Sequence, residues 1–138
     1  MEKTVLIDSG VVVAALIRRD QHHAWARAHF ERVTQPCLTC EAVLSECFHL
    51  LGKVSGGTER LSALLERGVL RGGFALPDHL TKVLNLIHRY VDTPISLADA
   101  CLVRMSELHD GAVVWTTDRD FEVYRRNGRQ RIPLIAPW

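Results

Sequence analysis

The sequence predicts an α/β fold, a sandwich with a mainly parallel central sheet. Three observations predict it. Short β-branched or apolar runs recur at residues 4–7, 36–39, 72–76, 112–116 and 132–135. Helical patterns alternate with them, as they do in chains that build parallel sheets from crossover units. The 138 residues suit one ordinary domain, with no internal repeat, low-complexity tract or dividing linker.

The elements follow in order. Residues 4–7 read as a buried strand, and Asp8-Ser9-Gly10 then turns the chain into the apolar helix 11–17. Residues 22–33 place Ala24, Trp25, Ala28 and Phe30 at roughly helical spacing. A brief strand at 36–39 leads into a helix over 41–51. Its apolar stripe is Val43, Leu44, Cys47, Phe48, Leu50 and Leu51, and Gly52 stops it. Residues 58–67 are helical after a flexible Ser-Gly-Gly, and 72–76 read as a third strand before Pro77. The helix 78–90 carries Leu80, Val83, Leu84 and Ile87 on one face and breaks at Thr93-Pro94. Ser96 caps the helix 97–108, and Gly111 sits just past its end. Residues 112–116 form a strong strand through Val113, Val114 and Trp115, followed by a short helix at 118–124. The last strand, 132–135, contains Pro133, which suits a sheet edge.

At 47% hydrophobic and 24% charged, the chain has enough apolar material for a core and is not a disordered tail. Seventeen Lys/Arg face sixteen Asp/Glu, a net charge of +1, so any surface for a polyanion must be local. The start shows no signal peptide, and the apolar run 11–17 is far too short to span a bilayer. A cytoplasmic protein without a membrane is the expectation. Cys37 and Cys40 form a C-x-x-C pair with no second pair or H-x₃₋₅-H to complete a zinc site. These two, Cys47 and Cys101 are expected as buried, reduced thiols.

In an open parallel sheet, ligands bind beyond the C-terminal strand ends. Asp8 and Asp118 fall there, each near a helix start whose dipole favours an anion. Glu46 lies at the border of its helix's apolar stripe. Asp99 stands in a helix apolar almost all round, where a carboxylate costs several kcal/mol (roughly) unless paired or bound to a cation. Singly, each acid has an ordinary account. Asp8 would cap a helix, Asp99 would complete a cap with Ser96, Asp118 would start a turn, and Glu46 would pair with a surface arginine. Jointly, the four make an oxygen-only pocket suited to Mg²⁺ or Mn²⁺ and not to zinc.

Four stretches also resemble a known family. They are Val5-Leu6-Ile7-Asp8-Ser9, Leu44-Ser45-Glu46, Ile95-Ser96-Leu97-Ala98-Asp99-Ala100 and Thr116-Thr117-Asp118-Arg119-Asp120-Phe121. In this order they are similar to PIN-domain ribonucleases and, within these, to VapC-type toxins of bacterial or archaeal toxin–antitoxin pairs. The resemblance implies a PIN-like three-layer α/β/α sandwich and a divalent-metal-dependent endoribonuclease with one or two ions. It implies products with 5′-phosphate and 3′-hydroxyl ends. It maps Asp8, Glu46, Asp99 and Asp118 onto the family's acidic positions, and Thr116 or Thr117 onto its hydroxyl position. Asp120, as a further metal ligand or a cap partner of Thr117, ranks below Asp118. Ser9 is a secondary candidate that would support the metal shell by a hydrogen bond.

The resemblance also implies partners: an RNA substrate, a cognate antitoxin protein and a second copy in a homodimer. Arg125, Arg126, Arg129 and Arg131 suit RNA phosphates, and an ordinary solvated basic turn accounts for them equally. Arg18, Arg19, His22 and His23 form a second basic stretch. Trp25, Phe30 and residues 61–65 would offer an antitoxin docking surface or simply form core. Two rival readings stand: a PIN-fold nuclease of RNA processing or decay that is no toxin, and a non-catalytic phosphate- or nucleotide-binding regulatory domain. The second lacks a glycine-rich phosphate loop after the first strand.

Overall fold

The computed structural model describes residues 3–138; the first two residues, where the absence of a signal peptide was read, lie outside them. Five strands form one sheet in the order β3-β2-β1-β4-β7: β1 (Val5–Ile7), β2 (Cys37–Thr39), β3 (Leu70–Gly72), β4 (Val113–Trp115) and β7 (Leu134–Ile135). Every pairing is parallel, with Leu6 opposite Leu38 and Val114. A small antiparallel hairpin, β5 (Arg125–Arg126) and β6 (Gln130–Arg131), stands apart.

The helices are α1 (Ser9–Leu16), α2 (His23–Arg32), α3 (Glu41–Leu51), α4 (Gly57–Glu66), α5 (Leu80–Arg89) and α6 (Leu97–Leu108). The chain steps β1 to β2 to β3 in one direction, then crosses back to β4. Helix α1 packs against α2 and α3, α5 packs against α6, and α3 also meets α6. This is the expected three-layer sandwich. Trp115 is fully buried, and Trp25, His29 and Phe30 of α2 pack on its ring at 4.6–6.1 Å between centroids. Trp25 and Phe30 therefore belong to the core's margin. Leu61 is fully buried as well, so α4 turns its apolar face inward.

Two expectations need correction. The third strand lies at Leu70–Gly72 and not at 72–76. Gly68, at φ +72°, turns the chain straight out of α4, and Leu70 is the side chain that enters the core. The segment 125–131 is a hairpin and not a plain turn. Arg126 pairs with Gln130 across a three-residue loop, in which Asn127 and Gly128 hold positive φ, 50° and 82°. The last strand is at the sheet edge, as expected, but it covers only Leu134–Ile135 and Pro133 precedes it; the Pro133 carbonyl accepts from the Val114 N–H at 2.8 Å. All four cysteines are free and buried. No helix among the described residues is long and apolar enough to cross a membrane.

Candidate active site

The parallel register brings the ends of β1 and β4 side by side, with Ile7 opposite Trp115. The next residues are Asp8 and Thr116. Asp8 caps α1 and is 5% exposed; Thr116 is fully buried. The Thr116 hydroxyl donates to Asp8 Oδ2 at 2.8 Å and accepts from the Asp118 N–H at 3.0 Å. One hydroxyl thus ties together the two strand-end acids. On the other oxygen, Asp8 Oδ1 accepts from the Ser9 N–H at 2.7 Å.

Ser9 reaches further. Its hydroxyl donates to Glu46 Oε2 at 2.9 Å, so the start of α1 orients an acid in the middle of α3. Glu46 has no arginine partner. Among the described residues the ion pairs are Arg104–Glu107 and Arg119–Glu122, neither of which touches the four acids. Gly10 completes the entry to α1. Any side chain there would collide with the Thr117 hydroxyl, so the helix start packs close against the chain leaving β4.

Asp99 sits in the first turn of α6, and Ser96 Oγ accepts its N–H at 3.0 Å. The cap accounts for the backbone at Asp99 but not for its carboxyl. Burial, then the charges of Asp8, Asp118 and Glu46, push that carboxyl from 3.8 up to about 8, against a lesser pull from Ser96. Asp8 rises only to about 6. Burial lifts it, the Thr116 and Ser9 hydrogen bonds draw it back, and Asp118 and Glu46 lift it further. The difference lies in the donors: two hydrogen bonds serve the Asp8 anion, and one hydroxyl serves Asp99.

The structure therefore brings Asp8, Glu46, Asp99 and Asp118 within reach of one another's charge. Asp120 stands outside. It is exposed, and its N–H donates to Asp118 Oδ1 at 2.9 Å, so the cap partner of this short turn is Asp118 and not Thr117. Asp120 feels Asp118, and its carboxyl is raised by slight burial and then by that charge.

The donor set fits a hard divalent cation. Its oxygens are all carboxylate or hydroxyl, and no cationic side chain neutralises them. The nearby thiol does not compete: burial, then Asp8 and Glu46, push Cys47 up to about 12, so it stays protonated. Among the described residues no three His, Cys, Asp or Glu side chains form a ready-made ligand set around one point. The acids are coupled by charge at the spacing the fold sets.

The basic hairpin is less available than its sequence promised. Arg125 turns its Nη1 onto the carbonyls of Glu122, Val123 and Tyr124 at 2.6–3.1 Å. Arg126 is 7% exposed, and its Nε has no partner. Arg129 and Arg131 are exposed. The bond between Ser9 and Glu46 joins residues 37 apart, a link that no local pattern announces.

A model of the PIN domain matches residues 5–127, a stretch that contains all four acids. The chain belongs to the PIN-domain family. No curated protein sequence matches it. Among solved structures, this PIN domain is similar to Mycobacterium tuberculosis VapC20, a toxin that cleaves the sarcin–ricin loop. The TM-score is 0.77 at 20% identity, over 87% of this chain and 94% of that one. At that identity the likeness is one of fold.

Proposed function

We propose that this PIN-domain protein is a divalent-metal-dependent endoribonuclease and the toxin of a toxin–antitoxin pair. One observation carries the nuclease reading: four carboxylates from four elements stand near the C-terminal sheet edge, coupled by charge, and no ion pair among the described residues neutralises them. A buried cluster of like charge is unfavourable unless protons or a cation enter it.

Asp8, Glu46, Asp99 and Asp118 would hold Mg²⁺ or Mn²⁺, as one or two ions. Bound there, the cation supplies positive charge for the phosphodiester and acidity for a water. The chain's own residues prepare the site. Thr116 and the Ser9 N–H fix both oxygens of Asp8, and the Ser9 hydroxyl fixes Glu46. Crowding favours the protonated form of Asp99, and a bound cation would favour its carboxylate. Thr116 and Ser9 are positioning residues in this reading, and Asp120 is left at the rim.

The likeness to VapC20 supports the toxin reading, and with it an RNA substrate, an antitoxin protein and a cytoplasmic place of action. A homodimer is proposed on the family resemblance. The direct test incubates purified protein with cellular RNA in Mn²⁺, with and without EDTA. Cleavage is expected only with metal, and is expected to vanish in Asp8→Asn and Asp99→Asn. Cleavage that survives EDTA or both substitutions overturns the reading. Induction in a bacterium, with and without the neighbouring gene, tests the toxin role: growth arrest relieved by the neighbour is expected.

A further inference from the structure

Away from the acids, the end of α1 and the starts of α2 and α4 border an open cavity of about 630 Å³. Arg18, Arg19, Arg27 and Arg60 line it with His23, and no acid does. Two members are fixed. The His23 Nδ1–H donates to the Ala14 carbonyl at 2.7 Å, and Arg60 Nη2 donates to the Leu16 carbonyl at 3.2 Å. That leaves Arg60 four further N–H donors. Arg18, Arg19 and Arg27 are exposed and make no ion pair among the described residues. Asp20, beside Arg19, is turned onto the His22 N–H at 2.8 Å. Glu31, one turn beyond Arg27, is not paired with it.

Four guanidinium forks without a counter-charge are an anion site, and their planar geometry suits phosphate oxygens. No aromatic ring lines the cavity apart from His23, so nothing is offered for bases to stack on. The chain's net charge is only +1, so this concentration of arginine is local and not a by-product of a basic protein. The other basic segment, 125–131, has spent Arg125 on carbonyls and buried Arg126. Helix α1 links the two places. It starts at Asp8 and ends at the cavity, eight residues later, a rise of about 12 Å.

We propose that the cavity at the end of α1 binds backbone phosphate of the RNA substrate, a few nucleotides from the bond to be cut. This rests on the ribonuclease reading for the identity of the polyanion. The test is a binding titration that needs no cleavage. Full-length protein in EDTA is mixed with a fluorescein-labelled single-stranded RNA of mixed sequence, and anisotropy is followed over a range of salt. Arg19→Ala/Arg27→Ala is expected to raise Kd about tenfold and to flatten the slope of log Kd against log[salt] by about 1.4, the share of two phosphate contacts. Arg129→Ala/Arg131→Ala serves as the matched loss of two charges elsewhere and is expected to have a smaller effect. Thermal unfolding of each variant is compared with the parent, and Arg19→Lys/Arg27→Lys, which keeps both charges, is expected to restore the salt slope.

Unchanged Kd and slope in a folded Arg19→Ala/Arg27→Ala protein would overturn the phosphate site. So would an equal loss in the hairpin variant, since the effect would then be net charge alone. If those arginines instead govern only the affinity for the neighbouring gene's protein, the cavity is a protein site and the proposal fails. A protein that binds RNA through these arginines yet cuts none under any metal leaves the cavity assigned and defeats the nuclease reading.

Discussion

Helix α1 begins among carboxylates and ends among arginines, and the two groups are held differently. At its start, Asp8 is buried and fixed by two hydrogen bonds, and Ser9 fixes Glu46. At its end, Arg18, Arg19 and Arg27 are exposed and untethered. The proposed chemistry on a phosphorus atom would need ligands that do not wander, and hydroxyls and backbone N–H groups hold these acids in place. Holding a flexible strand by its phosphates needs only charge and reach. The acids bear the cost of crowding, which a bound cation would offset; the arginines stay hydrated and bear none.

The sharpest way to break this contrast is Asp99→Asn. Cleavage is expected to fall on the order of a thousandfold, as when a charged transition-state contact is removed. The cation-free protein should meanwhile become more stable at alkaline pH, because a neutral amide replaces a carboxyl whose ionisation the fold resists. Calorimetry and a cleavage assay on one preparation read both. Lost activity with no gain in cation-free stability would mean that Asp99 is not crowded as described.

Thr116→Val comes next. The isostere removes the donor to Asp8 and the acceptor for Asp118 while keeping the shape. Metal affinity and cleavage should each drop about 10–100-fold, the usual effect of a partner one shell out from a metal. Isothermal titration with Mn²⁺ checks it, and Thr116→Ser should recover most of the loss. Ser9→Ala should cost less, about tenfold, since it frees Glu46 alone and leaves the Ser9 N–H on Asp8.

A further effect is on stability against pH. Unfolded, Asp99 and Asp8 titrate near 3.8; folded and without a cation, near about 8 and about 6. Between those limits the folded state holds protons that the unfolded chain has released. Stability of the cation-free protein therefore falls as pH rises, from about 4 to about 8, and is unaffected by these groups below about 4. Saturating Mn²⁺ should remove the decline, and Tm scans with and without metal at several pH values measure it. A cation-free Tm that rises over this range would contradict the crowding.

Much of this was legible in the residues. The helices Glu41–Leu51 and Leu97–Leu108 have the bounds their stripes, caps and glycines indicate. Asp8 and Asp118 could be placed because a strand's end is visible as the point where β-branched residues stop. The strand Leu70–Gly72 starts two residues and ends four residues before the expected 72–76, because three residues carry little pattern and pairing with β2 decides which of them enter the core. The hairpin did have a signal, Asn127-Gly128, which four surrounding arginines obscured. The remaining links are tertiary. Ser9 with Glu46, and Arg27 and Arg60 with Arg18 and Arg19, come from different elements and leave no mark on local sequence.

The shared hydroxyl of Thr116 has one more consequence, for folding fidelity. Side chains in a strand alternate between faces, so a slip of one residue between β1 and β4 would turn Thr116 away from Asp8. Both strands are short and apolar, and a slipped sheet would still bury valine, leucine and isoleucine. Such a chain would be soluble, helical and silent. Activity in this protein therefore reports the alignment of two three-residue strands, an error that a spectrum of secondary structure would not detect.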